Sequence, residues 1–98
     1  MNDKILNYLG LATSAGKTVN GEEKTLEAVK SNKARLVFLA KDAGNSTTKR
    51  MNDKCQTYQV TIIDKYTNAE LSQATGTFNR VTLAITDKGF ANAIKELT

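Results

Sequence analysis

The sequence contains no histidine, and its single cysteine, Cys55, has no second cysteine with which to form an internal disulfide. Histidine is the commonest general base and the commonest metal ligand in proteins, so its absence argues against the usual catalytic and metal-binding arrangements. The ten acidic residues are mostly scattered among lysines. We therefore expect no catalytic residues, no metal site and no cofactor. The absence of a disulfide framework favours the reducing cytoplasm as the compartment.

Proline is also absent, and the chain has neither a long apolar run nor a repeat or low-complexity tract. Nothing in it marks a linker between domains, and 98 residues is the size of one domain. Because it has no long apolar run, the sequence shows no sign of a signal peptide or a membrane span. We expect one domain over residues 1–98 and no membrane partner.

Positive charge is concentrated in the first half of the chain. Residues 1–50 carry nine Lys/Arg and five Asp/Glu, a net charge of +4, whereas residues 51–98 carry five of each. This asymmetry suits an anionic partner, although a charge of this size is also common as a simple aid to solubility.

Hydrophobic spacing and turn residues predict helices alternating with short extended segments. Helices are predicted from Asp3 to about Ala15, from Asn20, from Ser46 or Thr47, from Thr67 to Gly76 and from Asp87, and strands at 17–19, 35–40, 60–63 and 80–85. Each of these starting residues is a candidate N-cap, and both Asn20 with Glu23 and the run Thr67-Asn68-Ala69-Glu70 have the spacing of a capping box. In the last helix Phe90, Ile94 and Leu97 are expected to face inward. This order predicts an α/β protein, a three-layer α/β/α sandwich with a small central mixed sheet of about four strands. The strands are too few and too short for a doubly wound nucleotide-binding domain.

Two features that resemble catalytic motifs are interpreted as structural. Gly16-Lys17-Thr18 is similar to the end of a phosphate-binding loop, but five residues separate Gly10 from Gly16 where that motif needs four. The motif also needs a preceding strand, and a helix is predicted there. Cys55 lies four residues after Met51 on an apolar helix face, which is typical of a small core residue.

Two other segments have the chemistry to contact RNA. Gly21 at a predicted helix start would let a ligand approach the free N–H groups of the first turn, although Glu22 and Glu23 there would repel a phosphate. The loop Thr77-Phe78-Asn79-Arg80 places an aromatic ring beside a cation, a combination that can stack on a base and hold a phosphate. Plain helix capping and an ordinary surface turn remain the alternatives at these two places.

Several runs of the sequence resemble the core signature of the kink-turn-binding ribosomal proteins of the L-seven-Ae and L-thirty-e types. These runs are Gly21 to Leu26, Lys33 to Ala43, and Glu70-Leu71-Ser72-Gln73-Ala74-Thr75-Gly76, followed by Arg80-Val81 and Ala84-Ile85. Residues 16–19, 45–55 and 85–91 are similar to one bacterial branch of that family, the YlxQ proteins. The resemblance covers nearly the whole chain, and the order and spacing of the motifs are more specific than any one of them.

The resemblance implies a three-layer α/β/α fold that binds RNA kink-turns, in which tandem sheared G·A pairs bend a helix sharply. The family reads these RNAs with a glycine-led helix N-terminus, the loop after the second strand and the loop before the last strand. Carried over to this sequence, the implied contacts are Gly21, Glu23, Lys24, Glu27, Asp42, Thr77, Phe78, Asn79 and Arg80.

Four of the corresponding positions depart from the family's usual residues. Glu23 stands where Asn or Lys is common, Lys24 where Glu or Gln is common, and Glu27 where Lys is usual. A carboxylate about 5 Å from a phosphate costs roughly 1 kcal/mol in a watery dielectric, so an altered set of contacts is expected. Ser72 replaces a glycine, which predicts a stiffer turn.

The leading hypothesis is an RNA-binding, ribosome-associated protein that acts without catalysis. Gly21 and its helix N-terminus would approach bases, Phe78 would pack on a base, and Lys17, Lys33 and Arg80 would hold phosphates. Its expected partners are structured RNA, such as a kink-turn or ribosomal RNA, and proteins of the ribosome or of the translation and transcription machinery.

Two alternatives belong to other functional classes. The carboxylates of Glu22, Glu23 and Glu27 in one helix are also typical of a protein-interaction module in the translation or transcription machinery. A small enzyme would need a deep pocket converging on Asp42 or Asp64, and no carboxylate constellation in the sequence predicts one.

Overall fold

The computed structural model describes residues 3–98. Helices and strands alternate in the predicted order: α1 Lys4–Ser14, β1 Thr18–Asn20, α2 Glu22–Lys30, β2 Leu36–Leu39, α3 Asn45–Thr57, β3 Ile62–Ile63, α4 Asn68–Thr75, β4 Thr82–Ile85 and α5 Lys88–Lys95. No helix within this described range is long and apolar enough to cross a membrane.

The four strands form one mixed sheet, as the sequence predicted, and their order in it is β1-β4-β2-β3. β4 lies between β1 and β2 and is antiparallel to both, whereas β3 runs parallel to β2. In the central pair Leu36 lies opposite Ile85 and Leu39 opposite Thr82. The strands at the two edges are the shortest, with three residues in β1 and two in β3.

Successive side chains of each strand point to opposite faces of the sheet and pack in two separate cores, one on each face, which makes the fold three-layered. Leu36, Phe38, Leu83 and Ile85 pack with α1, α4 and α5 on one face. On the other face, Val37, Leu39 and Ala84 pack with α2 and α3. Because both faces are covered, all four residues of β4 are buried, including Thr82, whose hydroxyl donates to the carbonyl of Phe38 at 2.7 Å.

Local capping signals in the sequence were confirmed at three helix starts and one helix end. Asp3 accepts hydrogen bonds from the N–H groups of Ile5 and Leu6, and Asp87 accepts one from Phe90. Thr67 and Glu70 form the predicted capping box. Gly76 ends α4 in the left-handed conformation with φ 69°, which glycine adopts without strain.

Two predictions about helix ends were wrong. Ser46 or Thr47 was expected to cap α3, but the N-cap is Gly44 and both residues lie inside the helix. Thr47 is instead oriented toward α2, because its hydroxyl donates to Glu22 at 2.9 Å. Leu97 was expected to face the core, but α5 ends at Lys95 and the Leu97 side chain is exposed.

A hydrogen bond between residues far apart in sequence fixes the start of α1. The Tyr66 hydroxyl donates to the Asp3 carboxylate, with both oxygens at 2.9 Å, and the Tyr66 ring lies 6.4 Å from that of Phe38. Burial alone would raise the pKa of Asp3, but the hydrogen bonds from Leu6, Tyr66 and Ile5 outweigh it and lower that pKa below 3.8. Burial, followed by the Asp3 interaction, raises the pKa of Tyr66.

Tyr66→Phe should lower the free energy of unfolding by about 1 kcal/mol at pH 7, because it removes the hydroxyl donor and keeps the ring. The pKa of Asp3 is lower in the folded chain, so its contribution is present above about pH 4 and is lost as the pH falls through the folded pKa. The difference between the variant and the unmodified protein should therefore be smaller at a pH well below 3.8 than at pH 7. Urea unfolding at both pH values measures it, with Tyr58→Phe at the surface as the control. An equal difference at both pH values would contradict this account.

Candidate nucleic-acid interface

Three chain segments meet at one end of the sheet, because β1 and β2 end where β4 begins. Gly21, directly after β1, donates its N–H to the Thr82 carbonyl at 3.1 Å. Ala40, directly after β2, donates its N–H to the Val81 carbonyl at 2.7 Å. The start of α2, the loop after β2 and the loop before β4 are therefore neighbours, and we call this region the site end of the sheet.

Gly21 begins α2 in a conformation that only glycine adopts readily. Its φ is 94° and its ψ is 159°, and a Cβ placed on it would meet no atom within 4 Å. The need for glycine is thus conformational, and the backbone there is open to an approaching ligand. No side chain at this N-cap bonds the first-turn N–H groups of α2, so they remain available to a ligand.

The expected N-cap role of Asn20 was wrong. Asn20 is the last residue of β1, where it lies opposite Leu83, and Gly21 takes the N-cap position after it. Because Gly21 stands between Asn20 and the first turn of α2, the Asn20 side chain does not cap that turn, and its Oδ1 has no hydrogen-bond partner. The strand pairing therefore overrides the local capping-box spacing of Asn20 and Glu23.

Asn68 joins the loop after β2 to the loop before β4. Its N–H donates to Asp42 Oδ1 at 2.8 Å, and its side-chain Nδ2 donates to Asn79 Oδ1 at 2.9 Å. The Ser72 hydroxyl donates to Asn68 Oδ1 at 2.9 Å and accepts the N–H of Arg80 at 2.8 Å. Asn79, at φ 53°, is held by this network in a left-handed conformation that side chains rarely adopt.

The loop before β4 is held at its base by hydrogen bonds and carries an exposed aromatic ring. Phe78 is 93% exposed, the most exposed of the large hydrophobic side chains within residues 3–98. It lines a shallow, open depression together with Asp42, Asn68, Ala69, Ser72, Gln73, Thr77 and Asn79. The surface therefore combines an apolar ring with amide and carboxylate groups able to hydrogen-bond a base edge.

Unpartnered buried polar atoms are also concentrated at the site end. Over residues 3–98 they are Asn20 Oδ1, Thr25 Oγ1 and Arg80 Nε. Asn20 precedes Gly21, Thr25 lies one turn into α2, and Arg80 closes the loop before β4. Leaving a buried donor or acceptor unpaired costs about 1–3 kcal/mol, so these three atoms set this end of the sheet apart from the rest of the described chain.

The structure places the predicted cations in two regions. Arg80 belongs to the site end, and Lys24 is exposed in the first turn of α2. Lys17 lies at the opposite end of the sheet, where its carbonyl accepts the Thr86 N–H at 2.9 Å. Lys33 follows the far end of α2, where it lines a groove with Val19, Lys24 and Glu27. A ligand that reached all four cations would have to extend along the length of α2.

The acidic start of α2 is paired with α3. Arg50 Nη1 lies 2.6 Å from Glu22 Oε2 and 3.4 Å from Glu23 Oε1. Thr47 Oγ1 donates to the other Glu22 oxygen at 2.9 Å. Glu27, one turn further along α2, is exposed and makes no ion pair within the described chain.

Four residues of this region escaped the sequence prediction: Thr47, Arg50, Asn68 and Ser72. The sequence marks Ser72 only as a replacement for glycine, and Asn68 only as part of the capping box that Thr67 opens. Arg50 lies 28 residues from Glu22 in sequence, so no local spacing could have indicated their pairing.

Catalytic and metal-binding chemistry finds no support in the described residues. Within residues 3–98 no group of three or more histidine, cysteine, aspartate or glutamate residues could hold a metal ion. Cys55 is buried, as predicted, and burial raises the pKa of its thiol to about 11. A thiol with that pKa is almost fully protonated at pH 7 and is a poor nucleophile.

The fold is that of a family of small α/β/α proteins. The chain belongs to the Ribosomal protein L7Ae/L30e/S12e/Gadd45 family, whose model matches residues 3–95. This membership confirms the family predicted from the sequence, and its members are non-catalytic.

Relatives that match this chain over most of its length include two proteins of a bacterial branch of the family. The chain is 40% identical to RNA-binding protein YlxQ of Enterococcus faecium over 96% of its own length and 90% of that protein's. It is 39% identical to RNA-binding protein YlxQ of Bacillus subtilis, over 91% and 89%. A solved structure described as a protein with unknown function from Bacillus halodurans C superimposes with a TM-score of 0.92, at 36% identity, over 96% of this chain and 95% of that one.

Gly21→Ala should lower the free energy of unfolding by about 1–3 kcal/mol, because alanine is strained at positive φ even where space is free. Gly44→Ala is the matched control, since Gly44 is also a helix N-cap with open space around it but has φ −62°. That change should cost less than about 1 kcal/mol. Urea unfolding monitored by circular dichroism measures both, and equal losses would contradict the role assigned to the Gly21 conformation.

Asn68→Ala should loosen the loop before β4, because it removes the donor to Asn79 and the acceptor of the Ser72 hydroxyl. In the unmodified protein the Arg80 N–H donates to the Ser72 hydroxyl. In the variant this N–H should exchange with solvent about tenfold faster or more, as expected for a loss of roughly 1–2 kcal/mol of local stability. Amide hydrogen exchange by NMR measures this. Gln73→Ala, an exposed position in the same depression, is the control, and unchanged exchange at Arg80 would show that Asn68 does not hold the loop.

Proposed function

We propose that this protein binds structured RNA through the site end of the sheet, without catalysis. The surface consists of the N-terminus of α2 at Gly21, the loop after β2 at Asp42 and the loop 77–80. Phe78 stacks on a base that has left its helix, while the amide and carboxylate groups around it contact the edge of that base.

The observation that carries this proposal is the exposure of Phe78 on a loop that Asn68 and Ser72 hold in place by hydrogen bonds. The Phe78 ring is 93% exposed and so contributes nothing to folding stability through burial. An exposed ring is, however, suited to stacking on a single-stranded or splayed base. Arg80, two residues along, supplies a cation for the adjoining phosphate. The network of Asn68 reduces the entropy that the loop would otherwise lose on binding.

Kink-turn RNA is the specific target class that we infer. Support comes from the family membership and from the placement of Gly21, Asp42 and residues 77–80 on one surface. Two relatives bear the name RNA-binding protein YlxQ, which further supports an RNA ligand. We extend the proposal to ribosomal RNA in the cytoplasm as the natural target, with the protein acting in association with the ribosome.

Phosphate contacts in this proposal come from both ends of α2. Lys24 and Arg80 contact phosphates at the site end, and Lys17 and Lys33 contact phosphates of RNA that continues past it. Each phosphate neutralised should contribute about one unit to the slope of log Kd against log salt concentration. A protein-interaction role is less well supported, because the pairing of Glu22 and Glu23 with Arg50 reduces the acidic face that suggested it.

The unmodified protein should bind a kink-turn duplex at least tenfold more tightly than the same duplex without its G·A pairs. Phe78→Ala should weaken kink-turn binding by about tenfold or more, since stacking of one base on an aromatic ring contributes roughly 1–3 kcal/mol. Tyr8→Ala, which removes an exposed aromatic ring from α1, is the matched control and should bind as the unmodified protein does. Fluorescence anisotropy at one fixed salt concentration measures all of these affinities.

The possible outcomes separate the parts of the proposal. Equal affinity for the two duplexes would overturn the kink-turn specificity while leaving general RNA binding, and no binding to either would overturn the whole proposal. An unchanged affinity for Phe78→Ala would remove the loop 77–80 from the interface.

A further inference from the structure

The N-terminus of α2 has a charge conflict in the proposed function. A helix N-terminus favours an anion, and the open backbone at Gly21 lets an RNA group approach closely. Yet the next two residues, Glu22 and Glu23, carry carboxylates in the first turn, where they repel phosphates. An RNA-binding surface built on this turn needs something that offsets or displaces these charges.

Within the described residues 3–98, ion pairs occur only at that place. With 14 basic and 10 acidic residues in the chain, the only ion pairs within residues 3–98 are those of Arg50 with Glu22 and Glu23. The Arg50 and Glu22 side chains are 47% and 30% exposed, and ion pairs this exposed contribute little to folding stability. Stability alone therefore does not explain why the pairing occurs here.

The geometry shows what the pairing does to the two carboxylates. Glu22 is bonded at both oxygens, by Arg50 at one and by the Thr47 hydroxyl at the other, so its side chain is drawn toward α3. Glu23 is 87% exposed and lies at the longer distance of 3.4 Å, so Arg50 offsets its charge without enclosing it. The charge of Arg50 is thus shared between the two acids that follow Gly21.

The α3 helix presents these groups on one face. Thr47, Arg50 and Lys54 follow each other at helical spacing, and Arg50 and Lys54 line the groove between α2 and α3 with Glu23, Leu26, Glu27 and Lys30. Lys54 lies one turn beyond Arg50 and makes no ion pair in the described chain. It is therefore a cation of similar placement that lacks the contact with the start of α2.

We propose that Arg50 is a positioning residue of the RNA site. By pairing with Glu22 and Glu23 it draws the first-turn carboxylates toward α3 and offsets their charge, which leaves the N–H groups after Gly21 free to receive RNA. Thr47 assists by holding the second oxygen of Glu22. This role rests on the proposed function, and it differs from direct contact between Arg50 and a phosphate.

A double-mutant cycle separates the two roles, using anisotropy titrations with the kink-turn duplex at one salt concentration. Arg50→Ala should weaken binding about fivefold to tenfold, the effect expected when one or two nearby carboxylates lose their counter-charge. In the Glu22→Gln/Glu23→Gln background the same change should weaken binding less than about twofold, because no carboxylate charge remains to be offset.

Two further variants complete the test. Arg50→Lys keeps a positive charge near the carboxylates and should retain most of the affinity, whereas Lys54→Ala should weaken binding clearly less than Arg50→Ala. Thermal unfolding of each variant should change little, because the ion pairs are exposed. A loss of affinity that merely followed a loss of folded protein would therefore argue against the positioning role.

Each remaining outcome has a defined meaning. An equal loss from Arg50→Ala in both backgrounds would mean that Arg50 itself contacts RNA, and no loss in the unmodified background would mean that it does not act on the site. Either result overturns this inference while the unmodified protein still binds. Failure of the unmodified protein to bind the kink-turn duplex would instead overturn the proposed function, and this inference with it.

Discussion

The antiparallel pairing of β2 with β4 determines which parts of the chain can meet at the candidate interface. With Leu39 opposite Thr82, the residues that follow β2 and those that precede β4 share one end of the sheet, and β1 brings Gly21 to the same end. A slip of one residue would turn every side chain of β4 to the other face and exchange the residues that β4 contributes to the two cores. Leu83 and Ala84 differ greatly in size, so neither core could accommodate that exchange without a void or a clash. Core packing therefore fixes the geometry of the surface.

The surface at that end is ordered before any ligand arrives. Asn68 and Ser72 hold the loop before β4 against α4, and Asp42 attaches the loop after β2 to the same helix. Side-chain hydrogen bonds of this kind are individually weak, but together they restrict two loops relative to one rigid element. The Phe78 side chain projects from this ordered base into solvent. A partner would thus have to order little more than one side chain, which favours binding by a small surface.

Features of the fold that depend on neighbouring residues could be predicted from the sequence, and those that depend on tertiary contacts could not. The Thr67 capping box and the Gly76 helix end were predicted correctly, because each is decided within four residues. Asn20 has the same local appearance as Thr67, but its pairing with β4 assigns it to a strand. Within the site, the position of Gly21 was predictable from its place before a helix. The pairing of Arg50 with Glu22 was not, since it depends on how α2 and α3 pack against each other on one face of the sheet.

The shortness of the edge strands has a consequence for how copies of the protein behave toward one another. The edge of a sheet offers unpaired N–H and C=O groups to which a strand from another molecule can add, and long flat edges promote aggregation by this route. Here β1 has three residues and β3 has two, so each edge can offer an incoming strand only a few hydrogen bonds. A protein with no proline to interrupt an edge strand thus limits intermolecular sheet growth by strand length instead.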